Sequence, residues 1–219
     1  ALGGDQQVTL TWDANTEGDF AKYRIYESGG GNSLSFDGVD DYVDFGDVNA
    51  IEGIDAITLS AWLYPKDLTP DRQYIIAKED SWYLETEQNV LYFSIHGEPE
   101  TVQYTLPGTD QWYHIVGVSD SDNNTTLYVN GTQVSEVTSI DIPSSEYKFS
   151  FGSAYKNGSN WEHYFNGLID EVAIWNHSLT QAEIQFYMTT SPTGNEEGLV
   201  GYWNFNEGTG TTLTDQTSN

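Results

Sequence analysis

Asn32-Ser33-Leu34-Ser35-Phe36-Asp37-Gly38-Val39-Asp40-Asp41-Tyr42-Val43-Asp44-Phe45-Gly46 consists of two short strand patterns around an acidic turn. Leu34 and Phe36 share one face, and Tyr42-Val43-Asp44-Phe45 resumes the alternation beyond the turn. Asp-Gly is a strong turn signal, because glycine accepts the positive φ that tight hairpins need. Far downstream, Phe165-Asn166-Gly167-Leu168-Ile169-Asp170-Glu171-Val172-Ala173-Ile174-Trp175 sets an aspartate inside an apolar strand. An acid in such a place needs a cation or hydrogen-bond donors.

Between these stretches the pattern is that of a sandwich. Ile57–Pro65, Tyr74–Lys78, Trp82–Thr86, Val90–Ile95, Val102–Leu106, Trp112–Val118, Thr125–Val129 and Tyr147–Gly152 follow one another as short strands with turns between them. Asn130-Gly131 between two alternating runs predicts a two-residue hairpin. One short helix is expected after Thr180-Gln181-Ala182-Glu183, a capping box. The fold class is therefore all-β, two antiparallel sheets with one short helix.

Bulk properties narrow the function. The chain has 219 residues, enough for one large all-β domain, and no cysteine, so nothing in it relies on oxidation. With 34 acidic and 7 basic residues the net charge is -27, the wrong sign for a nucleic-acid binder. That excess suits a salty or extracellular setting and divalent cations. No apolar run is long enough to span a membrane, and the start resembles a fragment cut from a longer polypeptide.

Residues 1–31 differ from the rest. Val8–Trp12 and Asp19–Tyr26 resemble two strands of a fibronectin type III module, with Trp12 as its core tryptophan. The later strands of that module are missing, and a lone hairpin is marginal in water, so this segment must dock on the main domain, swap or stay loose.

The motifs Ser33–Val43, Thr58-Leu59-Ser60-Ala61-Trp62, Trp112–Val116, Leu127–Gly131 and Phe165–Trp175 resemble the signature strands of LamG-like domains, which are concanavalin A-like jelly rolls. The resemblance covers residues 32–207 and assigns 32–219 to one such domain. Gly198–Gly208 departs from the family order, in which that segment opens a repeat. It either begins a second, truncated repeat or closes this domain in the first-strand slot.

The resemblance implies a calcium ion joining the Asp-Gly turn to the Asp170 strand. Asp37, Gly38 (through its carbonyl), Asp40, Asp41 and Asp170 are the expected ligands, since calcium takes several oxygens of mixed type; Glu207 is a distant candidate. It also implies recognition of a glycan or of a cell-surface or matrix partner. A sugar stacks on an aromatic face and is fixed by polar groups. Trp82, Tyr155, Asn157, Trp161 and His163 are the candidates, with Asn160 and Glu162 beside them. Trp62, Trp112 and Trp175 are assigned to the core.

No catalysis is expected. The Glu-x-Asp-x-x-Glu strand of laminarinase-like jelly rolls is absent, and Glu85 and Glu87 read as a solvated edge. His96, His114, His163 and His177 lack zinc spacing. The expected role is a non-catalytic, calcium-stabilised module of a secreted or cell-surface protein, bacterial, beside neighbouring domains. The alternatives are a spacer without ligand or an ancillary module of a polysaccharide-degrading enzyme.

Overall fold

The structure, a computed structural model, describes residues 7–9, 31–96, 102–138, 141–156, 160–208 and 210–217. In chain order the strands begin with β1 (Gln7–Thr9), β2 (Leu34–Asp37), β3 (Val43–Gly46), β4 (Ile57–Pro65), β5 (Gln73–Lys78) and β6 (Trp82–Glu87). They continue with β7 (Val90–Ile95), β8 (Val102–Thr105), β9 (Tyr113–Ser119), β10 (Asn124–Val129), β11 (Thr132–Thr138) and β12 (Phe149–Phe151). Last come β13 (Ala154–Lys156), β14 (Asn160–Glu162), β15 (Asn166–Trp175), β16 (Leu199–Trp203) and β17 (Thr212–Thr214), with α1 (Gln181–Tyr187) before β16.

One sheet runs β11-β10-β9-β4-β15-β16, with β2 also paired to β15. The other runs β3-β12-β5-β6-β7-β8, and every described pairing is antiparallel. This is the jelly-roll sandwich. Period-two alternation sends Leu59, Ala61, Leu63, Ile115 and Leu127 from one sheet against Leu84, Leu91, Phe93 and Phe149 from the other. A Cβ on Gly117 of β9 would lie 2.5 Å from the Phe93 ring, so the sheets meet there ring against backbone.

The strands that flank the Asp37–Asp41 turn do not pair with each other. β2 pairs with β15 and β3 with β12, so the acidic turn crosses from one sheet to the other. The crossing lets Leu34, Phe36 and Val43 all enter the same core.

β15 holds two partners on one edge. Its first half pairs with β2 and its second half with β16. The break between them falls at Asp170-Glu171, where Glu171 takes φ 51° and the register with β4 shifts. The 198–208 segment thus closes this sheet, covering an edge that would otherwise stand unpaired. β1 pairs with β17; the rest of the fibronectin-like match, including Trp12 and Asp19–Tyr26, lies outside the described residues.

The local expectations at 130–131 and 180–183 are met. Asn130 and Gly131 both have positive φ in the β10–β11 turn, and Thr180 and Glu183 form the reciprocal cap of α1. Ile184 seats the helix on Val116, Val118, Ala173 and Trp175. Trp175 is core, but Trp62 and Trp112 are half-buried on the outer face, against His114 and Tyr64 respectively.

Candidate functional site

The outer face of the β3–β8 sheet gathers most of the polar chemistry. Directly opposed residues of antiparallel strands point the same way, and the register aligns Tyr74, Glu85 and Tyr92 across β5, β6 and β7. Alternation along β6 sends Tyr83 and Glu85 to this face and Trp82 and Leu84 to the core. Trp82 is therefore no ligand platform: it is fully buried against Phe149.

Arg72 organises the row. Its Nε donates to Glu87 Oε1 at 2.8 Å, its Nη2 also meets that oxygen, and its Nε lies 3.4 Å from Glu85 Oε2. Glu85 is buried, not solvated as its sequence position suggests, and burial pushes its carboxyl up to about 7 despite Arg72. Beyond Tyr74, Lys156 pairs with Glu79 at 2.8 Å and lies over the rings of Tyr74 and Tyr83.

The short β13–β14 hairpin divides this surface. Ala154 packs with Tyr74, Ala77 and Tyr83, and Lys156 turns the same way. Tyr155 and Trp161, opposed in register, turn the other way. There Tyr42 stacks on Trp161, with centroids 4.0 Å apart, and the Lys148 amine lies 4.5 Å from the centre of the Tyr155 ring. His163, just past β14, returns to the sheet edge-on to Tyr74. Burial, then Arg72, lower its pKa.

A cleft of about 590 Å³ opens beside this row, lined by Asp71, Arg72, Glu87, Gln88, Val90, Tyr92 and His163. Of the expected sugar-binding residues the fold brings only His163 to it. Tyr155 and Trp161 sit behind the hairpin, and Asn157 lies outside the described residues. Asn160 and Glu162 are exposed on β14. The cleft can offer a ligand a tyrosine ring, an imidazole and carboxylate acceptors. Arg72 lies against both Glu85 and Glu87 at its edge.

The expected calcium ligands separate into two places. Oxygens of Asp37, Asp40 and Asp41 all lie within 4.8 Å of one another. Burial and the neighbouring Asp37 charge push Asp41 up to about 6, so the donors suit a cation that relieves the repulsion. Gly38 has φ 83°, and a Cβ there would lie 2.8 Å from that of Asn166. Asp170 does not join them. Asp37 pairs with Asn166, so Asp170 stands four residues on, roughly 13 Å along β15. Its carboxyl is buried, accepts the Glu171 amide at 2.8 Å, and is pushed up to about 8 by burial and the Glu171 charge. Ser33, next to the Leu34 that pairs with Ile169, carries a buried hydroxyl without a hydrogen-bond partner.

The family described as the concanavalin A-like lectin/glucanases superfamily matches residues 37–185, more than half of the chain.

The chain belongs to this superfamily.

No curated protein matches the sequence. Among solved structures, a candidate carbohydrate-binding protein of Bacteroides ovatus superposes with TM-score 0.68 at 21% identity, covering 84% of this chain and 54% of that one. Domain 4 of AbnA, an extracellular GH43 arabinanase of Geobacillus stearothermophilus solved with arabinotriose, gives 0.58 at 21%, covering 82% and 85%. A structure of botulinum neurotoxin type C, whose cell entry is described as dependent on interaction with two ganglioside molecules, gives 0.58 at 17%, covering 87% and 52%. At these identities the likeness is one of fold. This superfamily member spans about half the length of several of the chains it matches. Among the described residues no helix is long and apolar enough to cross a membrane.

Sequence reasoning missed the cleft of this concanavalin A-like domain. Arg72, Glu87, Tyr92 and His163 are scattered along the chain and meet only through the β5–β6–β7 register and the return of His163 to the sheet. The one available signal was Tyr83-Leu84-Glu85-Thr86-Glu87, whose outer face carries two acids next to a strand ending in Arg72-Gln73-Tyr74.

Proposed function

We propose that the chain is a non-catalytic glycan-recognition module of a secreted or cell-surface bacterial protein, binding its ligand in the Arg72–Tyr92–His163 cleft. The observation that carries this is the cleft itself, an open concavity pairing a half-exposed tyrosine ring with fixed carboxylates and an imidazole. Membership of a lectin and glucanase superfamily supports it, as do the carbohydrate-related neighbours. The arabinanase domain also favours a second context, an ancillary module attached to a polysaccharide-degrading enzyme.

A glycan microarray followed by calorimetry on the best hit tests the reading. Binding weakened by Tyr92→Ala and His163→Ala, with no hydrolysis of the bound glycan, is expected. A folded protein that binds nothing on the array would return the chain to the role of spacer. Calcium belongs to the same proposal. Asp37, Asp40 and Asp41 would hold an ion at the sheet crossing, and the buried Asp170, beside Ser33, is a separate position where a cation would restore its charge. Bound there, the ion would stiffen loops without entering the cleft chemistry.

A further inference from the structure

We infer that the cleft selects an uncharged glycan over acidic and basic ones, with Glu85 as the group that sets this preference; this rests on the glycan-binding reading. Recognition of a carboxylated or sulfated sugar needs an uncommitted cation. Four of the five cationic side chains among the described residues are already in ion pairs: Arg72 with Glu85 and Glu87, Lys78 with Asp47 and Glu52, Lys148 with Asp44, Lys156 with Glu79. The fifth, Lys66, follows β4 in the opposite sheet. An acidic sugar entering the cleft would therefore meet Asp71 and Glu87, with Glu85 buried behind them, and among the described residues no lysine or arginine of this sheet is left outside an ion pair. A basic sugar fares no better, because the Arg72 guanidinium already stands between the two glutamates where an ammonium group would go.

What remains suits hydroxyls and sugar faces. Tyr92 supplies a half-exposed ring and Gln88 an amide at the rim. Glu85 lies between Tyr74 and Tyr92, only 6% exposed, and its Oε2 faces Arg72 Nε at 3.4 Å without receiving a hydrogen bond. Arg72 offsets its charge, but a buried acceptor that receives no hydrogen bond is still costly. A sugar hydroxyl reaching past Tyr92 would donate to it, and a carboxylate or sulfate in that place would be repelled.

The test is calorimetry of the whole chain against arabinan, galactan, xylan and laminarin, against polygalacturonate, alginate and heparin, and against chitosan oligomers. Binding confined to the neutral set is expected, with affinity changing less than about twofold between low and high salt, since screening acts on charge pairs. Glu85→Gln keeps shape and packing and should weaken that binding about tenfold, the worth of one hydrogen bond to a charged group. Preferred binding to an acidic polymer or to chitosan would overturn the inference while leaving glycan recognition intact. Neutral binding untouched by Glu85→Gln would remove Glu85 from the role. Failure to bind every polymer would overturn the underlying reading as well.

Discussion

Tyr42 and Trp161 are stacked, their ring centroids 4.0 Å apart and their planes 22° from parallel. Tyr42 follows directly on the acidic turn, and two residues on Asp44 pairs with Lys148, whose amine faces the Tyr155 and Trp161 rings. The sheet crossing and the hairpin beside the cleft are thereby held as one unit. Trp161, which the sequence suggests as a sugar platform, already has an aromatic partner within the protein.

Replacing Tyr42 by Ala should therefore loosen the hairpin more than the domain. An aromatic pair contributes about 1 kcal/mol beyond its buried area, which for a chain of this size lowers Tm by roughly 2–4 °C. Hydrogen exchange should quicken in β13 and β14 first. Unchanged exchange there would show that the stack does not hold the hairpin.

Stability should decline from mildly acidic to alkaline pH when calcium is chelated. The Asp170 and Glu85 carboxyls are raised to about 8 and about 7, chiefly by burial, above ordinary values near 4. The folded state keeps protons that the unfolded chain has released. The stability these groups contribute is thus complete below about pH 4 and is lost as pH rises through 7 and 8. His114 acts at the other end. Burial lowers it to about 4, so its contribution is complete above its unfolded value near 6.5 and is lost as pH falls through about 4. Thermal melts in chelator from pH 5 to 8.5 should slope downward, and Asp170→Asn should flatten the slope. An equal slope in the variant would contradict the burial argument.

Calcium should raise Tm, because an ion that binds only the folded state adds stability by mass action. Asp41→Asn and Asp170→Asn should each remove part of that rise, since Asp41 lies on the turn beside the start of β15 and Asp170 four residues further along that strand. A rise retained in full by both variants would end the calcium proposal.

Gly38→Ala should destabilise the crossing. A left-handed backbone costs an alanine about 1–2 kcal/mol, and at Gly38 the added carbon also meets Asn166 Cβ at 2.8 Å. Urea unfolding should show a loss of at least this size. Wild-type stability would mean that the turn can adopt another conformation.

Much of the fold was legible because it is local. Alternation marks Ile57–Pro65 or Val90–Ile95 as strands wherever they end up, and Asn130-Gly131 and the Thr180–Glu183 cap act within a few residues. At Asp37–Asp41 the turn was legible but the crossing was not, because a turn signal records backbone freedom, not which sheet the next strand joins. Trp82 and Glu85 misled for a related reason. In β6 both faces are covered, so its pattern carries no contrast between inside and outside.

By itself, then, the sequence determined an all-β sandwich with one capped helix, a cluster of three aspartates on a glycine-bearing turn, and a heavily anionic surface. All of these follow from neighbours in the chain or from composition. Only the tertiary structure decided that Asp170 stands apart from the turn, that Trp161 leans on Tyr42, and that Arg72 is clasped by Glu85 and Glu87. Those arrangements depend on strand register between distant segments, where a shift of a single residue turns every side chain to the opposite face.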